Sequence, residues 1–130
     1  MSDRMREMAA QAAANVIGNE NKVREEFGEL IAHIKNSFIN TLRNVPGGQP
    51  YGAKLTSIDY AVRDNVNIIC LMISDSAYGH TETSPWVQFG RDYTTGKYSF
   101  WTKSNPRKFY KNRSEVEMLV LQYLKARNFL

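Results

Sequence analysis

Val66-Asn67-Ile68-Ile69-Cys70-Leu71-Met72-Ile73 is apolar at every position but one. Its length suits a strand better than a helix, and half of its residues are β-branched. It reads as a central strand buried on both faces. Just upstream, residues 54–62 alternate, with Thr56, Ile58, Tyr60 and Val62 on one face. Asp64-Asn65 supplies a tight turn between the two strands.

Downstream, residues 74–85 read as a polar loop ending at Pro85. Strands at 86–93 and 97–103 follow, joined through Thr94-Thr95-Gly96, with glycine where a positive φ is wanted. Ser114 and Glu117 form an S-x-x-E capping box. It opens a helix over 114–128 carrying Val116, Leu119, Val120, Tyr123 and Leu124. Upstream of the strands, the cluster Pro46-Gly47-Gly48-Gln49-Pro50-Tyr51-Gly52 ends a helical region spanning 3–43. There Val23, Phe27, Leu30, Ile31, Ile34, Phe38 and Leu42 recur at three- and four-residue spacing, the apolar stripe of an amphipathic helix. Gly18-Asn19-Glu20-Asn21 either divides this region or weakens one long helix. The expected class is α+β: a four-stranded antiparallel meander over 54–103 between an N-terminal and a C-terminal helix, α-β-β-β-β-α, in a single domain over 1–130. Because the central strand is apolar on both sides, each face of the sheet needs a cover. The N-terminal helix or a second copy of the chain could supply the second cover, and the expectation leans to a homodimer.

The chain has 130 residues, 42% of them apolar and 23% charged, the balance of a globular protein. No apolar run is long enough to span a membrane. The first residues, MSDRMREMAAQAAANVIG, are interrupted by charges and do not read as a signal peptide. Cys70 is the only cysteine, so no disulfide framework is expected, and a reducing, cytoplasmic setting is. The Asn112-Arg113-Ser114 sequon is then accidental.

The net charge of +4 is unevenly spread. Residues 96–113 hold Lys97, Lys103, Arg107, Lys108, Lys111 and Arg113 and no acid, more than the whole net charge. Such local asymmetry marks an anion-binding surface. Eight of the fifteen aromatic residues lie between Trp86 and Tyr110. With Thr94-Thr95-Gly96 as the loop, Tyr93 faces Lys97, Arg91 faces Ser99, Phe89 faces Trp101 and Val87 faces Lys103. One face then alternates Phe89, Tyr93 and Trp101 with Arg91, Lys97 and Lys103. Cations attract phosphates, and flat rings stack on unpaired bases, which a duplex does not offer. Trp86, Tyr98 and Phe100 fall on the opposite, core-facing side. Residues 105–113 continue the mixture on a loop with Arg107, Lys108, Lys111 and Arg113.

A β-β-β-β-α unit with basic and aromatic strands resembles the repeat of Whirly and Pur-type single-stranded nucleic-acid-binding proteins. The resemblance is carried by Val87–Tyr93 and Lys97–Lys103, and it extends over about 54–128 in topology and chemistry. The lysine-rich strand motif of plant Whirly proteins is absent, and the N-terminal helix is extra. The chain is similar in the same way to small RNA-binding proteins of giant phages. The resemblance implies a dimer that binds single strands, with RNA favoured.

Other chemistry finds little footing. His33 lies beside the apolar stripe of the first helix. His80, with Asp75, Ser76, Glu82 and Ser84 nearby, is too thin for a triad or a metal site. Gly52-Ala53-Lys54-Leu55-Thr56 fails the phosphate-loop pattern and leads into a strand. Cys70 reads as a buried small hydrophobe. The expectation is a non-enzymatic binding protein without cofactor. Two rivals stay open: a protein-interaction module or phage-type inhibitor that docks a basic patch on an acidic partner, and a binder of small anionic nucleotides.

Overall fold

The computed structural model describes the backbone of residues 3–39, 41–43, 51–77 and 80–130. Within these, the side chains of 9–17, 41–43, 51, 76, 77 and 80 are left aside. The described residues form helices α1 (Asp3–Glu26), α2 (Gly28–Ser37) and α3 (Arg113–Ala126). They also form strands β1 (Thr41–Arg43), β2 (Tyr51–Arg63), β3 (Val66–Ala77), β4 (His80–Arg91), β5 (Tyr98–Thr102) and β6 (Asn105–Tyr110). The strands make one antiparallel meander in chain order. The fold is α+β with helices at both ends. The sheet exceeds the expected four strands because β6 occupies the basic stretch read as a loop, and the short β1 pairs with the start of β2.

β3 is central, as its apolar run requires, and it is paired along its length with β2 and β4. Asp64 and Asn65 both take positive φ, 51° and 64°, in a two-residue hairpin of the type whose twist matches the strands. The expected loop over 74–85 is instead strand. Ser74 pairs with Thr83 and Asp75 with Glu82, so β3 and β4 run on as a polar hairpin arm.

Odd-numbered residues of β3 face the helices. Ile69, Leu71 and Ile73 join Val87 and Phe89 of β4, Val23 of α1, Phe27 between the helices, Leu30 and Ile34 of α2, and Val116, Val120 and Leu124 of α3 in one buried cluster. The stripe that marked the N-terminal helix is real from Val23 to Ile34, but the helical region ends at Ser37 and not at 43, because Leu42 lies in strand β1. Its interruption falls at Phe27, between α1 and α2, and not at Gly18. Bulges adjust the pleat: Trp86 has no partner between the Leu71–Val87 and Met72–Pro85 pairs, and its ring turns to the helix side against Phe129, 5.6 Å between centroids.

α3 starts at Arg113, and the Ser114–Glu117 capping box does not form. Glu117 pairs with Arg113 at 2.9 Å, and Asn112 Nδ2 donates to Glu115 Oε1 at 3.1 Å. The helix ends in a left-handed Asn128, φ 61°, with the Phe129 N–H donating to Leu124 O at 2.9 Å. That turn folds Phe129 back onto Phe38, with stacked rings 5.0 Å apart.

All three helices place their described buried side chains in the same cluster, so they share one face of the sheet. The other face of β3 carries a smaller cluster, Val66, Ile68 and Cys70, with Ala61 and Met72 against it. No described helical side chain joins it, so the N-terminal helix does not supply the expected cover on that side. Ile68 is nevertheless 0% exposed within the single chain. Gly90 helps, since it brings β4 so close to β3 that a Cβ there would lie 1.8 Å from Asn67 O.

Candidate nucleic-acid interface

The hairpin between β4 and β5 closes one residue away from the expected register. Asp92 N–H donates to Lys97 O at 2.9 Å, leaving the four residues Tyr93–Gly96 as the turn. Gly96 takes φ 77°, as a glycine at that place suggests. Arg91 then pairs with Tyr98, Phe89 with Phe100, Gln88 with Trp101 and Val87 with Thr102. A slip of one residue turns every side chain of a strand to the other face. The expected stripe of Phe89, Arg91, Tyr93, Lys97, Trp101 and Lys103 on one surface is therefore broken up.

Phe89 is 0% exposed and packs edge-on against Phe27 at 5.1 Å, so it belongs to the core. Tyr98 and Phe100 lie on the same helix side, packed against that cluster as expected. Arg91 is engaged as well. Its guanidinium pairs with the Glu26 carboxylate, lies 4.6 Å from the Tyr98 ring centre, and donates through Nε to Gly96 O at 3.2 Å. The Tyr93 hydroxyl donates to Glu26 Oε2 at 3.4 Å, and burial, followed by the nearby Glu26 charge, pushes its pKa well above the usual tyrosine value. Arg91 and Tyr93 thus fasten the hairpin to α1.

Trp101 takes the opposite side. It pairs with Gln88 on the helix-free face and belongs to neither buried cluster. A bulge in β6 sets it opposite Pro106 and Arg107, since Phe100 pairs with Lys108 and Thr102 with Asn105. Phe109 pairs with Ser99 on the same face and is 47% exposed. Sequence reasoning did not single out Phe109. The signal lay in the acid-free segment but was hidden once that segment was read as a loop.

Arg107 has a different role from the one expected. Its Nη1 donates to Ser99 Oγ at 3.0 Å and its Nη2 to Gln88 Oε1 at 2.7 Å, crossing from β6 over β5 to β4. Burial lowers its pKa, with the Asp64 charge opposing. Cys70 on β3 is buried, and its thiol pKa is raised by desolvation.

The remaining cations of the expected site are exposed at three places, with Arg63 at a fourth. Lys97 and Lys111 flank the Tyr98–Tyr110 pair at one end of the sheet, with Arg113 beginning α3 just beyond. Lys108 lies along the outer strand. Lys103 sits at the β5–β6 turn, its ammonium 4.7 Å from the Trp86 ring centre. Arg63 is exposed at the tip of the β2–β3 hairpin. Between the β4–β5 turn and β6 lies an open depression of about 230 Å³ lined by Asp92, Thr95, Lys97 and Phe109.

His33 is exposed on α2 beside Ser37, Nδ1 to Oγ 3.5 Å, and the His80 side chain lies outside the described residues. Among the described residues no group of three or more His, Cys, Asp or Glu could hold a metal ion, and no helix is long and apolar enough to cross a membrane. No family model, curated protein or solved structure matches the chain.

Proposed function

We propose that this protein is a non-enzymatic binder of single-stranded nucleic acid, RNA ahead of DNA, and that it uses the helix-free side of β5 and β6. One observation carries the reading: Trp101 and Phe109 lie outside both buried clusters, on the same face of neighbouring strands. Residues placed diagonally across an antiparallel pair are about 7–8 Å apart. Two bases of one strand can then stack, one on each ring, as aromatic platforms for single strands do. Lys97 and Lys111, at the end of the strands on that face, supply cations for the phosphates. A duplex keeps its bases stacked internally and gains only the electrostatic part.

The test is a titration of labelled RNA, single-stranded DNA and duplex DNA of equal length at several salt concentrations. The expected outcome is tighter binding of the single strands, with affinity falling as salt rises. Equal binding of duplex, or binding indifferent to salt, overturns the reading.

A further inference from the structure

Resting on that reading, we infer that the depression beside Phe109 is a subsite for one base, and that it favours bases bearing an exocyclic amine over uracil or thymine. Its volume of about 230 Å³ is below the roughly 300–1,000 Å³ of pockets for drug-sized ligands, so it suits a single ring system. Phe109 is 47% exposed and offers a flat wall for stacking.

The polar side of the depression is built by the turn. Asp92 Oδ1 accepts from the backbone N–H of Thr94 at 2.8 Å and of Thr95 at 3.3 Å, which fixes the plane of the carboxylate. Oδ2 has no hydrogen-bond partner among the described residues. Lys97 is exposed, and neither it nor Asp92 enters an ion pair there. Its backbone N–H donates to Thr95 Oγ1 at 3.3 Å. The result is a stacking wall, an oriented anionic acceptor and a cation in one place.

A carboxylate oxygen held in this way can only accept. Cytosine and adenine present an amino group on the pairing edge, and guanine presents an amino group beside a ring N–H. Uracil and thymine flank their single ring N–H with two carbonyl oxygens, which a carboxylate repels. Lys97 neutralises the phosphate that follows the seated base. Discrimination therefore arises from Asp92 Oδ2, and affinity from Phe109 and Lys97.

The experiment compares labelled oligocytidylate and oligouridylate of equal length at neutral pH, two pyrimidines of similar stacking area. The wild-type protein should prefer cytidylate by roughly tenfold, the worth of one hydrogen bond to a charged group. Asp92→Asn keeps an Oδ1 for the two backbone N–H groups but replaces Oδ2 with an amide donor. It should shrink or reverse the preference at unchanged melting temperature. Phe109→Ala should weaken both oligonucleotides. Equal binding of the two by the wild-type protein, a comparison independent of any variant's folding, overturns the subsite and leaves the general reading standing. An Asp92→Asn preference identical to wild type also overturns it. Failure to bind either oligonucleotide removes both proposals.

Discussion

Arg107 and Gln88 stand on strands separated by β5, and the guanidinium Nη2 of the first donates to Oε1 of the second at 2.7 Å. Gln88 is 4% exposed and Ser99, the other acceptor, 0%. Arg107→Ala leaves two buried polar groups without their partner, at a cost of about 1–3 kcal/mol. Arg107→Lys should recover only part of this, because an ammonium cannot fork towards two acceptors as a guanidinium does. Urea unfolding with an unchanged m-value is the measurement. A neutral Arg107→Ala would mean that water replaces the guanidinium.

Phe89 and Trp101 were expected to face one another across the hairpin and instead lie on opposite faces. Phe89→Ala should cost about 3–5 kcal/mol of stability. Trp101→Ala should leave the melting temperature nearly unchanged and weaken single-strand binding by about 1–3 kcal/mol. Melting and binding measured on one sample of each variant decide between the roles. A large melting loss in Trp101→Ala would place that ring in the core.

Gly90→Ala should be among the most damaging small substitutions in the chain. The added Cβ would meet the backbone of Asn67 and Ile68, at 1.8 Å from the carbonyl oxygen, and neither can move without parting β3 from β4. The loss should reach or exceed the upper end of the ~1–3 kcal/mol usual for overpacking. Thermal unfolding of the variant checks it, and retained wild-type stability would mean that the two strands separate easily.

The fold was largely legible because burial writes itself in periods. Val23 to Ile34 at helical spacing, the doubly apolar 66–73 run, the Asp64-Asn65 turn and the Val116–Val120–Leu124 stripe all stand where their patterns put them. The polar arm of β3 and β4 was not legible, since Ser74, Asp75, Glu82 and Thr83 carry loop chemistry and pair through their backbones. The site depended on a register. Side chains alone do not reveal that Asp92 bonds Lys97 and so sets Trp101 opposite Gln88. Nor does the sequence show that the cation of Arg91 is held by Glu26, a residue 65 positions away.

Alkaline pH should expose the tyrosines. The pKa values of Tyr93, Tyr60 and Tyr123 are raised from the ordinary 10.0, by burial first in each case. A raised folded pKa favours the protonated phenol, so the contribution is complete below the ordinary value and is lost as pH rises through the folded one. Stability should fall above about pH 10. In Tyr93→Phe the fall should be shallower, because the most strongly shifted phenol is gone. Melting temperatures between about pH 8 and pH 12 test this, and parallel curves for the two proteins would refute it.

Lys97 and Lys111 flank the same strand pair and carry no ion pair among the described residues. Each single-strand phosphate contact contributes roughly −0.7 to the slope of log K against log salt. Changing both to Ala should therefore make the slope shallower by roughly 1.4 without altering the melting temperature. An unchanged slope would place the phosphates elsewhere.

Among the described residues the meander does not close on itself and no strand pairs with the outer edge of β6, which leaves that edge open to pairing. Such a margin invites copies of the chain to join edge to edge. Pro106 offers no N–H, Lys108 is exposed and charged, and the bulge opposite Trp101 bends the strand out of line. Each of these frustrates a flat partner. The same few residues that give the margin its charge therefore also discourage edge-to-edge pairing, and replacing Lys108 by a β-branched apolar residue would favour insoluble assemblies over a clear solution.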